Sequence, residues 1–131
     1  MSDNTSKKKF GLPKCEHLTA RNSILKLFKS GDYILNPPLK VMFSKTEEKG
    51  KIKTLFSVPK RLFKYAVDRN YHKRLLRENY RLNKFIVNEA LKDKNFGLNI
   101  AFVITTEEKQ NFQSIKEVML LSLNSLGDRI K

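Results

Sequence analysis

The segment LNIAFVITT, residues 98 to 106, constrains the fold most strongly because it is apolar on both of its alternating faces. A strand with this pattern lies at the centre of a sheet and is covered on both sides. The rest of the chain must therefore supply neighbouring strands, and helices to cover them.

Two amphipathic helices are predicted at opposite ends of the chain. The first follows Leu18 and Thr19, which resemble a hydrophobic staple and an N-cap, and it is expected to end at Gly31 in a left-handed C-terminal cap. The last is expected over residues 112–126, where apolar residues line one stripe, with Gly127 ending it.

A β-hairpin is predicted between these helices. Pro37 and Pro38 forbid a helix, and LKVMFSK (39–45) has strand character. The turn TEEKG then leads into KIKTLFSV (51–58), which alternates well enough to pair back on the preceding strand.

The charge of the chain indicates a polyanionic partner. Its 27 lysines and arginines outnumber 13 acids, which gives a net charge of +14 and a pI near 10.0. Such a balance suits nucleic acid or an anionic membrane surface. No apolar run approaches the length of a spanning helix, and the N-terminus lacks the apolar stretch of a signal peptide. We therefore expect a cytoplasmic protein with no membrane partner, built as a basic flexible arm (1–14) and one domain (15–131).

The positive charge is concentrated between Pro59 and Lys84, where nine basic residues accompany two acids for a net charge of +7. A helix is predicted here, with Asp68 as its N-cap. At about 100° per residue, the polar side chains fall within roughly 140° of the helix circumference. They are Arg69, Asn70, Lys73, Arg74, Arg77, Arg81 and Lys84. The apolar face is predicted to comprise Tyr71, Leu75, Leu82 and Ile86.

This cationic face favours nucleic-acid binding over a solvated surface helix. Arg69, Lys73 and Arg77 are like charges four residues apart, and such pairs repel instead of stabilising the helix. Guanidinium groups in a row match the spacing of backbone phosphates and bind them bidentately. A helix that reads DNA bases normally carries several short polar side chains, and here Asn70 is alone, so RNA is favoured over DNA.

The same region resembles the bacterial ribonuclease P protein component. In that family a strand ending in SV-x-K-K/R is followed by A-V-x-R-N-x-x-K-R-x-x-R-E. Twelve positions match here: Ser57, Val58, Lys60, Arg61, Ala66, Val67, Arg69, Asn70, Lys73, Arg74, Arg77 and Glu78. The chain departs from the pattern at Tyr71, where a basic residue is common, and by one extra residue around Phe63.

The resemblance implies a fold and a function. The fold is α+β: a two-layer α/β sandwich with about four strands in a mixed sheet and three helices, as in a known ribosomal-protein domain. A left-handed βαβ crossover carries the basic helix, although crossovers are right-handed in about 98% of cases. The function is that of the protein subunit of an endoribonuclease that removes the 5′ leader of precursor tRNA. Its RNA subunit is expected to perform the chemistry with Mg²⁺, which RNA and substrate mainly bind.

The resemblance also implies two RNA-binding sites. The expected contacts to the RNA subunit are Lys60, Arg61, Lys64, Arg69, Asn70, Lys73, Arg74, Arg77 and Arg81. The leader of precursor tRNA is expected in a cleft between the first helix and the sheet, at Phe28 and Phe43, bordered by Lys73 and Arg77. Rings at these positions would stack on bases irrespective of sequence. The alternative for both phenylalanines is core packing.

The residues themselves carry no catalytic motif. His17 and His72 are isolated, Cys15 is the lone cysteine, and the acids are scattered, so we expect neither catalytic nor metal-binding residues in the protein. The alternative function is a basic structural RNA-binding protein of the ribosomal type. A DNA-binding protein is a weaker hypothesis, because no dimer seam is evident and a monomer is expected.

Overall fold

The chain is described in a computed structural model at residue 18 and over residues 21–130. The helices are α1 (Arg21–Ser30), α2 (Ala66–Asn83), α3 (Phe85–Leu91) and α4 (Phe112–Arg129). The strands are β1 (Asp32–Asn36), β2 (Leu39–Thr46), β3 (Ile52–Ser57) and β4 (Gly97–Ile104). The predictions for the basic arm, Cys15, His17 and the Thr19 cap lie outside the described residues.

The four strands form one mixed sheet in the order β1-β2-β4-β3. β4 is antiparallel to β2 and parallel to β3, so the predicted hairpin of β2 with β3 is wrong. The apolar β4 lies between β2 and β3. The short turn after β2 packs against Gly97, the first residue of β4. A β-carbon on Gly97 would collide with the carbonyl oxygens of Glu48 and Lys51, which explains glycine at this crossing.

β1 is a strand that the sequence pattern did not reveal. It pairs antiparallel with β2, to which a cis peptide bond between Pro37 and Pro38 connects it. As an edge strand it buries Ile34 and leaves Tyr33 and Leu35 about half exposed. One buried residue in five is too weak a periodicity to predict a strand.

The two faces of the sheet carry separate cores. On one face, Phe43 and Phe102 belong to the large cluster that α2, α3 and α4 complete. On the other face, Leu27 of α1 packs against Met42 and Ala101. Alternation along β2 and β4 sends neighbouring side chains to opposite faces, so the predicted two-sided covering of β4 is confirmed.

The predicted α+β class with a four-stranded mixed sheet is confirmed, and the described residues contain four helices instead of three. The basic helix stops at Asn83 and a separate helix, α3, follows it. The left-handed crossover stays a prediction.

The predicted end of the first helix at Gly31 is confirmed, but its left-handed cap is wrong, and so are two other expected helix boundaries. Gly31 does not adopt a left-handed conformation; it packs where a β-carbon would meet the carbonyl oxygens of Leu27 and Phe43. Gly127 lies inside α4, close to Ala90, and the helix continues to Arg129. Asp68 lies in the first turn of α2, whose N-cap is Tyr65. Glycine and aspartate near helix ends therefore indicate a helix but do not fix its boundaries.

Candidate nucleic-acid interface

The face of α2 that packs against the core differs from the apolar face predicted from its sequence. Its buried residues are His72, Leu76, Asn79 and Tyr80. Leu82 is 39% exposed, so its placement on the apolar face is wrong. Tyr71 and Leu75 are half-buried at the margin, and Ile86 belongs to α3.

Two buried polar residues account for this difference between the predicted and the buried face. The Nδ1 atom of His72 lies 2.7 Å from the carbonyl oxygen of Asp68, and Nε2 accepts a hydrogen bond of 3.0 Å from the Gln110 backbone N–H. Asn79 donates from Nδ2 to the Leu75 carbonyl oxygen at 3.0 Å. Because these bonds satisfy both ring nitrogens of His72 and the amide nitrogen of Asn79, polar residues occupy positions that a binary pattern assigns to solvent.

The exposed polar side chains of α2 and the preceding loop form one surface, here called the basic patch. It consists of Lys60, Arg61, Lys64, Asn70, Arg74 and Arg77. Lys73 is half-buried at its border. The guanidinium carbon of Arg77 lies 5.8 Å from the ring centroid of Phe56, which places the end of the patch beside the edge strand β3.

Arg81 differs from its neighbours because Glu78 pairs with it. Its Nε donates to Glu78 Oε2 at 3.4 Å, and its NH2 group also donates to Oε1 of the same carboxylate. The hydrogen bond to Glu78 is the main reason that the pKa of Arg81 is raised, with the carboxylate charge acting in the same direction. Its positive charge is thus locally compensated, in contrast to the patch residues.

Arg69 is also used inside the protein. Its NH1 atom donates to the carbonyl oxygens of Phe63 at 2.9 Å and Lys64 at 2.8 Å. The side chain is half-buried, and it holds the loop that precedes α2. The expectation that Arg69 lies on a freely exposed cationic face is therefore corrected: it first supports the loop that carries Lys60, Arg61 and Lys64.

The leader site was expected on the opposite side of the sheet. The structure places only some of the residues predicted for it on that side. Phe28 is 43% exposed on α1. Phe43 is only 4% exposed and points into the large core on the α2 side, so its expected role as a stacking ring is corrected to core packing. Lys73 and Arg77 lie on α2, across the sheet from α1, and do not border this side.

The structure contains a groove on the α1 side, where the family resemblance implies a cleft, but the residues that line it were missed by sequence reasoning. It has a volume of about 640 Å³ between α1 and the ends of the central strands. Its polar lining includes Ser23, Lys26, Lys53 and Asn99. Lys53 lies between buried Ile52 and Thr54, and this alternation indicates that the lysine faces away from the core. Assigning it to the groove also requires the order of the strands, which the sequence does not reveal.

Two exposed aromatic rings accompany this face. Tyr33, opposite Met42 in the β1–β2 register, is 53% exposed and has Lys40 Nζ 4.7 Å from its ring centroid. Residues directly opposite share a face of the sheet, so Tyr33 lies on the α1 side. Phe28 is five positions after Ser23, about 140° around α1, so it lies on the other flank of the helix from the groove. We call Phe28, Tyr33, Lys40 and the groove lining together the α1-side surface.

Within residue 18 and residues 21–130, no group of three or more histidine, cysteine, aspartate or glutamate side chains is arranged to hold a metal ion. Over the same residues, no helix has the length and apolarity required to cross a bilayer.

Comparison with known proteins identifies the family. The family model for ribonuclease P matches residues 12–127. A ribonuclease P protein component from Porphyromonas gingivalis is 37% identical over 128 residues, covering 96% of this chain and 93% of the relative. The chain belongs to the ribonuclease P protein family. A family member from Chlorobaculum tepidum is 36% identical over 92 residues, 66% of this chain and 60% of that protein.

Solved structures of the ribonuclease P protein have the same fold. The protein from Staphylococcus aureus superposes with a TM-score of 0.68 at 21% identity, covering 86% of this chain and 96% of that one. The Thermotoga maritima protein gives a TM-score of 0.67 at 25% identity, covering 84% and 96% of the two chains.

Proposed function

We propose that this chain is the protein subunit of a ribonuclease P ribonucleoprotein that removes the 5′ leader of precursor tRNA. The observation that carries the proposal is a family match over residues 12–127 that includes the helix and loop of the basic patch. Of the nine residues expected to contact the RNA subunit, Lys60, Arg61, Lys64, Asn70, Arg74 and Arg77 are exposed in that patch. Lys73 borders it, while Arg69 and Arg81 have internal partners.

The role of the basic patch is electrostatic. Lysine and arginine side chains that neutralise phosphates release condensed counterions, which makes binding strongly dependent on salt. Exposed arginines such as Arg74 and Arg77 are suited to bidentate phosphate contacts. Binding the RNA subunit would also offset the repulsion between like charges along α2, which the free protein must tolerate.

The α1-side surface is proposed to hold the single-stranded leader. Phe28 and Tyr33 offer ring faces for base stacking, and Lys40 and Lys53 offer charges for the backbone. Stacking of this kind is tolerant of sequence, as required for leaders that differ between precursors. Because the edge strand β3 carries Lys53 on one face and Phe56, under Arg77, on the other, both RNAs would meet along this edge.

Cleavage itself is assigned to the RNA subunit with Mg²⁺ held mainly by RNA and substrate. The protein residues bind and orient the two RNAs, and their cations reduce the repulsion between two polyanions. We assign no protein residue to proton transfer or metal ligation.

The proposal is tested by a cleavage assay with the ribonuclease P RNA of Porphyromonas gingivalis and a 5′-labelled precursor tRNA. Mg²⁺ is set to a concentration at which the RNA alone is inactive. The protein is expected to restore cleavage at the mature 5′ end. If it binds RNA without changing either the rate or the Mg²⁺ requirement, the structural RNA-binding alternative replaces this proposal.

A further inference from the structure

Tyr65 is an exposed aromatic residue beside the basic patch. It lies at the junction of the loop and α2, is 66% exposed, and directly follows Lys64, whose Nζ is 5.8 Å from its ring centroid. That distance is near the outer limit of a cation–π contact, so the ring is only weakly engaged within the protein.

The position of Tyr65 in α2 argues against a purely structural role. It is the N-cap residue, where serine, threonine, aspartate or asparagine normally bonds a backbone N–H of the first turn. Here the side chain makes no capping hydrogen bond. The chain thus forgoes a stabilising cap and places a large ring in solvent beside Lys64, at the end of the loop that carries Lys60 and Arg61.

The loop that presents Tyr65 is held in a defined conformation. The carbonyl oxygen of Pro59 accepts hydrogen bonds from the backbone N–H groups of Leu62 and Phe63. Phe63 is buried and stacks on His72 with ring centroids 4.2 Å apart. The Arg69 guanidinium then ties down the two carbonyl groups immediately before Tyr65.

We propose that Tyr65 is a stacking platform for an unpaired RNA base, and that Arg69 is a positioning residue that holds it ready. The inference rests on the proposed function, since RNA bound to the basic patch would bring its backbone next to the ring. A preorganised ring loses little conformational freedom on binding. An aromatic face next to a lysine suits a nucleotide, which offers both a base to stack and a negative charge.

The chain offers a direct reporter for this stack because its sequence contains no tryptophan. Tyr65→Trp therefore introduces a single indole fluorophore, and Leu121→Trp on α4 is a matched control at a position that is 59% exposed. In titrations with the ribonuclease P RNA we expect quenching of indole fluorescence in the Tyr65→Trp variant and little change in the control. A separate titration with a leader oligonucleotide identifies which RNA supplies the base. If neither RNA quenches the Tyr65→Trp variant, the proposal is overturned.

The affinity of side-chain variants provides a second test. Tyr65→Phe is expected to bind RNA as the wild type does, whereas Tyr65→Leu is expected to bind about 5-fold or more weakly, the lower end for loss of a stacked base. The slope of affinity against salt concentration should be the same in all three, because no charge changes. Wild-type affinity in Tyr65→Leu contradicts the stack, and failure of the wild type to bind RNA refutes the proposed function as well.

The positioning role of Arg69 is tested by a double-mutant cycle. The loss caused by Tyr65→Leu should shrink in an Arg69→Ala background, because the untethered loop no longer presents the ring. In an Arg74→Ala background, where the loop stays tethered, the loss should remain complete. Equal losses in both backgrounds would remove Arg69 from this role.

Discussion

The two sides of the sheet carry the two proposed RNA-binding surfaces, which differ in construction. The basic patch comes from one helix and its preceding loop, a continuous stretch of sequence. The α1-side surface is assembled from α1, β1 and alternate residues of β2, β3 and β4. The first is dominated by exposed cations, whereas the second combines rings, lysines, carboxylates and uncharged polar groups. Under the proposed function, charge would hold the RNA subunit on the first side, and shape and stacking would hold the 5′ leader on the second.

Phe43→Ala is the strongest test of which side a ring belongs to. Because Phe43 is buried in the α2-side core, its truncation should lower the free energy of unfolding by about 3–5 kcal/mol, measured by chemical denaturation. Where the variant remains folded, affinities for leader-bearing precursor and mature tRNA should fall equally. A selective loss for the precursor, with stability unchanged, would instead put this ring in the leader site.

Arg74→Ala combined with Arg77→Ala tests the basic patch. We expect about 100-fold weaker binding of the RNA subunit, since two charge-assisted contacts are lost. The slope of log affinity against log salt should decrease by roughly 0.7–0.9 per lost phosphate contact. Thermal stability should change little, because both side chains are exposed.

Lys92→Ala combined with Lys116→Ala is the matched control for this prediction. It removes the same charge from exposed positions outside the patch. If the control pair weakens binding as much as the patch pair, net charge explains RNA binding and the patch has no special role.

Phe28→Ala addresses the α1-side surface. Loss of a half-exposed stacking ring should weaken binding of leader-bearing precursor by about 5- to 30-fold and leave mature tRNA unaffected. Leu25→Ala, on the same helix with 58% exposure, should affect neither ligand. Equal behaviour of the two variants would mean that apolar area on α1, not stacking, accounts for any effect.

Arg81→Ala should have the smallest effect. Because Glu78 already pairs with Arg81, its removal is expected to change RNA-subunit affinity by less than about 2-fold, well below the loss for Arg77→Ala. Filter-binding titrations of both variants at one salt concentration make the comparison. A loss at Arg81 matching that at Arg77 would indicate that RNA binding breaks the Glu78 pair.

Local patterns in the sequence predicted most of the elements, but they missed β1 and α3 and did not show how the strands meet. The central strand β4 and the helices α1, α2 and α4 follow from their periodicity. β2 and β3 were wrongly paired because a short turn favours a hairpin, and only the tertiary structure reveals that β4 inserts between them. The face of Phe43 was undecided for the same reason: alternation separates it from Met42 but does not say which face α1 covers.

The candidate site divides in a similar way. The exposed polar residues of α2 in the basic patch were predicted from helical spacing, whereas Lys60, Arg61 and Lys64 were expected from the family resemblance. Six of the nine expected RNA-subunit contacts are exposed in the patch. Internal hydrogen bonds changed the roles of two of the other three: Arg69 ties down a loop and Arg81 pairs with Glu78, while Lys73 is half-buried at the border of the patch. Tyr33 and Lys53 could not be placed on the α1 side without the strand order. Tyr65 is identified as a candidate by its exposure in the structure, since no pattern in the sequence distinguishes it.

Site-directed cross-linking tests the central claim, that the two sides bind different RNAs, most directly. In a Cys15→Ser background, the chain's one native cysteine is removed and a photoreactive probe is attached to Asn70→Cys in the basic patch or to Leu35→Cys beside Tyr33. With the assembled RNA subunit and precursor tRNA, the Asn70→Cys probe should cross-link to the RNA subunit and the Leu35→Cys probe to the 5′ leader. Cross-links from both probes to the same RNA would contradict the account.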